Sequence, residues 1–168
     1  MSVTDELLAA NEHYARDFTG ADLPVPPARK VAIVACMDAR LMVSDVLGLA
    51  NGDAHIIRNA GGIVTEDALR SLVISHHLLG TQEFIIINHT DCGMLSFTDD
   101  NLRATLTSKT GVESDVPARF YTFNDLEANV RRQIEKVKDH PWIPETVTVR
   151  GFIYDVKTGR LEEVPANA

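Results

Sequence analysis

Two stretches of this chain leave little choice of fold. Residues 30–35 read Lys-Val-Ala-Ile-Val-Ala, and residues 83–88 read Glu-Phe-Ile-Ile-Ile-Asn. Neither alternates apolar with polar side chains, so neither suits a strand with one wet face. Continuous β-branched runs of this length fit strands covered on both sides, as in a parallel sheet sandwiched by helices. A shorter run at 54–58 and a later one at 146–154 add two strands, and residues 155–161 read as a turn into a short edge strand. Helical patterns lie between the runs. Thr65 caps a helix whose stripe is Leu69, Leu72, Val73, His76 and Leu79, ending at Gly80. Residues 98–109 read as helix, and 111–119 as irregular. Asn124, with Glu127 three residues on, resembles a capping box before a helix carrying Leu126, Val130, Ile134 and Val137. Near the start, Thr4, Asp5 and Glu6 cap and acidify a helix with Leu7, Leu8, Tyr14, Ala15 and Phe18 on one face, stopped by Gly20.

This order predicts an α/β fold: a single domain with a mainly parallel central β-sheet flanked by helices. A chain of 168 residues buries about 70% of its unfolded surface and needs no staples. Residues 1–29 are expected to form an N-terminal helix and extended arm, and 30–164 the α/β core. The arm would let the first helix pack on a partner subunit. The formal charge of −8 and pI near 5.1 argue against a nucleic-acid or anionic-membrane surface. No apolar run reaches the length of a membrane span. The first residues show no basic segment followed by an apolar one, so a cytoplasmic location is expected.

The chain has two cysteines, and both follow strand runs. Cys36 opens Cys36-Met37-Asp38-Ala39-Arg40, and Cys92 closes His89-Thr90-Asp91-Cys92. In open α/β sheets ligands sit beyond the carboxyl ends of the strands, where Cys36 and His89 stand. Two thiolates and an imidazole suit zinc, and the spacing from His89 to Cys92 lets one turn present two ligands. With no third cysteine, a zinc on Cys36, His89 and Cys92 keeps a fourth position open, as catalytic rather than structural zinc does. The competing readings are two buried thiols beside a hydrogen-bonded histidine, and a Cys36–Cys92 disulfide. The second cysteine at a strand end, followed by Asp38 and Arg40, favours the metal. A carboxylate two residues past a ligand could accept a hydrogen bond from metal-bound water, or could bind the metal itself. Arg40 can decide between these, because its guanidinium fork holds a carboxylate bidentately and keeps it ionised. Glycines in Asn59-Ala60-Gly61-Gly62 allow close backbone approach, so N–H groups could face a substrate oxygen. A tight strand-to-helix turn is the equal alternative. Asp91 reads as either a contact to a ligand or a helix cap. His76 reads as a packed core residue and His77 as exposed, while His13, His55 and His140 show no ligand spacing. Phe97, Phe120, Tyr121 and Phe123 could wall an apolar pocket or belong to a core.

Cys36-x-Asp38-x-Arg40, the loop from Arg58 to Gly62 and His89-Thr90-Asp91-Cys92-Gly93 together resemble the β-class carbonic anhydrases, in order and over nearly the whole chain. Ala39 departs from the serine that many members have there, and the chain is compact, without long terminal extensions. The resemblance implies reversible hydration of carbon dioxide to bicarbonate and a proton by a zinc-bound hydroxide. It implies one Zn2+ per chain on Cys36, His89 and Cys92, and Asp38 with Arg40 as a catalytic dyad. It favours a substrate pocket at Asn59, Gly61 and Gly62, with Gly62 the donor. It also implies a homodimer or tetramer with the site near the subunit interface. Two thiolates cancel the formal charge of Zn2+, so activity should rise into the alkaline range. Bicarbonate regulation is not expected, because the members that show it carry tryptophan where this chain has Ile33. The rival readings are a carbonyl sulfide or carbon disulfide hydrolase on the same site, and a non-catalytic zinc-binding domain. A dinucleotide-binding domain is weaker, since no G-x-G-x-x-G follows a strand.

Overall fold

The computed structural model describes residues 2–166. Five strands form one sheet in the order β2-β1-β3-β4-β5. They are β1 (Val31–Cys36), β2 (Ala54–Asn59), β3 (Glu83–His89), β4 (Thr148–Tyr154) and β5 (Leu161–Val164). The first four pair in parallel, and β5 runs antiparallel to β4 at one edge. The helices are α1 (Val3–Arg16), α2 (Val43–Leu47), α3 (Glu66–Leu79), α4 (Asp99–Thr110) and α5 (Leu126–Lys138).

The apolar runs at 30–35 and 83–88 do what continuous apolar runs should. Every residue of β1 is buried. Ala32 and Val34 face a core shared with Leu72 of α3 and with Val130, Ile134 and Val137 of α5. Val31, Ile33 and Ala35 face the opposite way, onto Leu41 and Val43. Each fully buried Ile or Val contributes about 1.5–3 kcal/mol, so the central strand pins the sheet from both sides.

Boundaries differ in detail. The first helix starts earlier than Thr4: Ser2 is its cap, closing a reciprocal box with Asp5. It ends at Arg16, before Gly20. Asp125, not Asn124, caps α5, its side chain accepting from the Ala128 N–H. The short α2 had no sequence signal. The proline segment is irregular, and its end is tied down where Ala28 and Arg29 donate backbone N–H groups to the carbonyls of Gly52 and Asp53. Helix α1 buries no residue. Leu7, Leu8 and Tyr14 on it are each more than half exposed.

Candidate metal centre

Parallel pairing carries β1 and β3 to the same edge of the sheet. Ala35 lies opposite Ile87, so Cys36 is level with Asn88 and His89 stands one residue beyond it at the carboxyl ends of the paired strands. The chain then turns through Asp91, whose φ is +56°, and returns Cys92 to the same point. The ligand atoms of Cys36, His89 and Cys92 lie within 4.8 Å of one another, and all three residues are buried. They form the one such cluster among the described residues. Both cysteines are free.

The histidine is oriented for a ligand. Its Nδ1 lies 2.8 Å from the Thr90 carbonyl, so Nδ1–H is the donor and Nε2 carries the lone pair. Nε2 is the one buried side-chain nitrogen or oxygen without a hydrogen-bond partner among the described residues. A buried polar atom left unpaired costs free energy, and two sulfurs facing it make a set that fits a soft divalent cation. Burial would push the His89 imidazole down, but the nearby Cys36 sulfur, the Thr90 carbonyl and the Asp38 charge raise it above its ordinary value. A hydrogen bond from Cys92, opposed by burial and helped by His89 and the Asp38 and Gly61 N–H groups, holds Cys36 well below the usual thiol range. The same bond and burial push Cys92 up.

Asp38 and Arg40 stand beside this cluster. Arg40 donates from Nε to Asp38 Oδ1 at 3.0 Å and from Nη2 to Oδ2 at 2.8 Å. Its backbone N–H reaches Oδ1 at 2.9 Å. These bonds, the side-chain ones first, keep the Asp38 carboxyl well below the usual carboxylate range. Asp38 Oδ2 is 3.6 Å from His89 Nε2, outside hydrogen-bond distance. Asp91 resolves toward a contact with this pair: Arg40 Nη1 donates to its Oδ2 at 2.9 Å. The 3-10 turn Gly93–Leu95 starts instead from Cys92, with no side-chain cap.

The Asn59–Gly62 loop packs behind Cys36, with its polar groups turned inward. Asn59 bonds both the N–H and the carbonyl of Ile63 through its side-chain amide. The Gly62 N–H donates to the Asn59 carbonyl at 3.2 Å, and the Gly61 N–H helps hold the Cys36 thiol below its usual range. Gly62 has φ +61°, and a Cβ there would meet Asn88 Nδ2 at 2.8 Å and the Cys36 nitrogen at 2.9 Å. Only glycine fits. Ile63, Met94 and Phe123 pack around the two sulfurs, with Phe97 beside them; Phe120 and Tyr121 are not in that group.

Two further residues support the site: Arg58, from the motif before Gly62, and Asn88, which the sequence had not singled out. Arg58 donates to the Cys36 carbonyl at 2.9 and 2.7 Å and to the Asp38 carbonyl at 2.7 Å, fixing the turn that carries both side chains. Asn88, 1% exposed, donates to the Gly61 and Gly62 carbonyls and accepts from Asn129. Position could have flagged Asn88, since it precedes His89. The remaining histidines lie elsewhere: His76 is half-buried on the Thr81 carbonyl, and exposed His77 reaches the Trp142 carbonyl.

The chain is similar to known proteins in sequence and in fold. The carbonic anhydrase family profile matches residues 31–161. The chain is 48% identical over 164 residues to beta-carbonic anhydrase 1 of Mycobacterium tuberculosis, covering 98% of this chain and 99% of that one. It is 36% identical over 180 residues to a carbon disulfide hydrolase of Acidithiobacillus thiooxidans, covering 96% and 90%. The fold is similar to the crystal structure of carbonic anhydrase from Streptococcus mutans, with a TM-score of 0.93, 47% identity and coverage of 98% and 99%.

Proposed function

The chain belongs to the β-class of the carbonic anhydrase family, and from that premise we propose that it catalyses the reversible hydration of carbon dioxide to bicarbonate. The observation that carries this is the buried Cys36–His89–Cys92 cluster, with an unpartnered imidazole nitrogen, beside a carboxylate gripped by an arginine. Zn2+, one per chain, is the cation these three side chains would hold; when bound it supplies the Lewis acidity that lets a water lose its proton near neutral pH.

The protein's own groups do the rest. Asp38 accepts a hydrogen bond from the attacking water and orients its lone pair. The Arg40 fork keeps Asp38 ionised and turned to its own side, so the carboxylate serves the water and leaves the metal position free. Ile63, Met94 and Phe123 form an apolar wall suited to an uncharged linear substrate. Asn59, Gly61 and Gly62 shape that wall from behind: their polar groups are engaged within the protein, and Gly61 supports Cys36. Residues 30–164 make up the catalytic core. The exposed apolar face of α1, with Leu7, Leu8 and Tyr14, packs on a second copy in a homodimer or tetramer. No described helix is long and apolar enough to cross a membrane; we assign the enzyme to the cytoplasm.

The test is stopped-flow carbon dioxide hydration at mildly alkaline pH on protein with its zinc counted, with carbonyl sulfide and carbon disulfide run in parallel. Rapid turnover of carbon dioxide that disappears on chelation is the expected result. One zinc per chain without such turnover would overturn the assignment, and consumption of either sulfide would replace it with the hydrolase activity named for the Acidithiobacillus relative.

A further inference from the structure

Asp91 lies between two of the three proposed ligands, His89 and Cys92. Its side chain is 72% exposed, and its positive φ of +56° is one that few side chains other than Asn and Asp adopt readily. That conformation turns the carboxylate back across the gap between the ends of β1 and β3. There it meets Arg40, 51 residues away in sequence, through Nη1 to Oδ2 at 2.9 Å. Arg40 Nη2 also reaches the Asp91 carbonyl at 3.2 Å. The guanidinium therefore spans two aspartates, with Asp38 on one side and Asp91 on the other.

The two tethers are not equivalent. Asp38 and Arg40 are two residues apart in a turn whose backbone Arg58 fixes, so it is their paired side chains that can swing together. Asp91 alone ties that unit to the β3 side of the site. Arg40 is 48% exposed and would otherwise sample solvent. Asp38 Oδ2 is 3.6 Å from His89 Nε2, so a small rotation would bring it onto the position of the metal. An ion pair this exposed contributes little to stability, so the fold does not depend on it.

We propose that Asp91 is a positioning residue. It holds the Arg40 guanidinium in the orientation from which the fork grips both oxygens of Asp38, and so keeps Asp38 off the metal. This rests on the roles proposed above for Asp38 and Arg40.

The experiment uses the zinc-loaded protein. Asp91→Gly removes the carboxylate and suits the positive φ, and Asp91→Asn keeps an acceptor oxygen and tolerates the same backbone. Four quantities are measured: kcat for carbon dioxide hydration, zinc per chain, the melting temperature, and hydrogen exchange of the Arg40 Nε–H by NMR. Asp91→Gly should lower kcat about tenfold, the scale of losing support to a metal site. Zinc content and melting temperature should hold, while Arg40 Nε–H exchange accelerates. Asp91→Asn should restore most of the rate and the protection. In an Arg40→Ala background, Asp91→Gly should change kcat no further. Wild-type exchange at Arg40 in Asp91→Gly would overturn the proposal, as would an undiminished kcat loss in the Arg40→Ala background. The exchange readout needs no substrate, so it judges Asp91 even if the wild-type protein proves inactive on carbon dioxide.

Discussion

Two polar clusters, each with a histidine, sit at opposite ends of the same sheet and behave oppositely. At the amino end, His55 Nδ1 meets Ser75 Oγ at 2.7 Å, and Ser75 Oγ meets Thr81 Oγ1 at 2.6 Å. Ser75 and Thr81 are buried, and the protein itself satisfies each hydroxyl. At the carboxyl end, His89 is closed on one nitrogen and open on the other, with two thiols facing the open side. The composition of the two clusters differs only modestly. What separates them is whether hydrogen bonding is completed within the chain. A completed cluster holds a fold together, and an incomplete one at the ligand-binding end of an α/β sheet is waiting for something from outside.

The strongest attack on this contrast is His89→Gln. If the open nitrogen is a ligand, the variant should lose zinc, and its activity should fall by more than about a hundredfold, the upper range for losing mere support of a ligand. Zinc analysis alongside stopped-flow assay checks this, and retained zinc with full turnover would erase the distinction. Next comes Arg40→Ala, which should lower turnover about 10–100-fold while zinc stays bound, because Asp38 is then free to occupy the metal position. Full turnover in that variant would break the proposed dyad.

The amino end should respond in the opposite currency. Ser75→Ala strands His55 and Thr81, and should destabilise the protein by about 1–3 kcal/mol in denaturant melts. Turnover per folded molecule should not change. The smallest effect concerns pH. In chelated protein the His89 pKa is raised, so its contribution to stability is fully present below its unfolded value of about 6.5 and is lost as pH rises through the folded value. Melting of chelated protein should therefore show a stabilising contribution on the acid side that His89→Gln lacks, and identical pH profiles for the two would refute it.

Much of this was legible in the sequence, for physical reasons that also explain the gaps. The runs at 30–35 and 83–88 announce buried parallel strands, because nothing else accommodates apolar side chains on both faces. Once they are strands, Cys36 and His89 fall at one edge, and the two-residue gap to Cys92 completes the set. The apolar face of α1 was equally plain, but amphipathicity reports that a face needs cover without saying what covers it. Other features carried a weak or ambiguous signal. Helix α2, five residues long, is too short for a period to show. Asn124 and Asp125 are both good caps, and only the backbone path selects Asp125. Arg58 and Asn88 act on backbone carbonyls, which carry no side-chain signature. Asp91 could be a cap or a contact until the ends of β1 and β3 were set beside each other.

The pairing of Ala35 with Ile87 makes the metal site a gauge of sheet alignment. A slip of one residue between β1 and β3 would move Cys36 about 3.3 Å along the sheet relative to His89, a large shift for ligand atoms that lie within 4.8 Å of one another. Length changes between the strands, in the segment 37–82, leave the gauge untouched so long as the supporting turn survives. Metal capture therefore distinguishes a correctly paired sheet from a merely collapsed chain. A cut in that segment would divide the site into two pieces, one holding Cys36 and the other holding His89 and Cys92. Neither piece has the full ligand set, so recovered binding would announce that the halves had found each other.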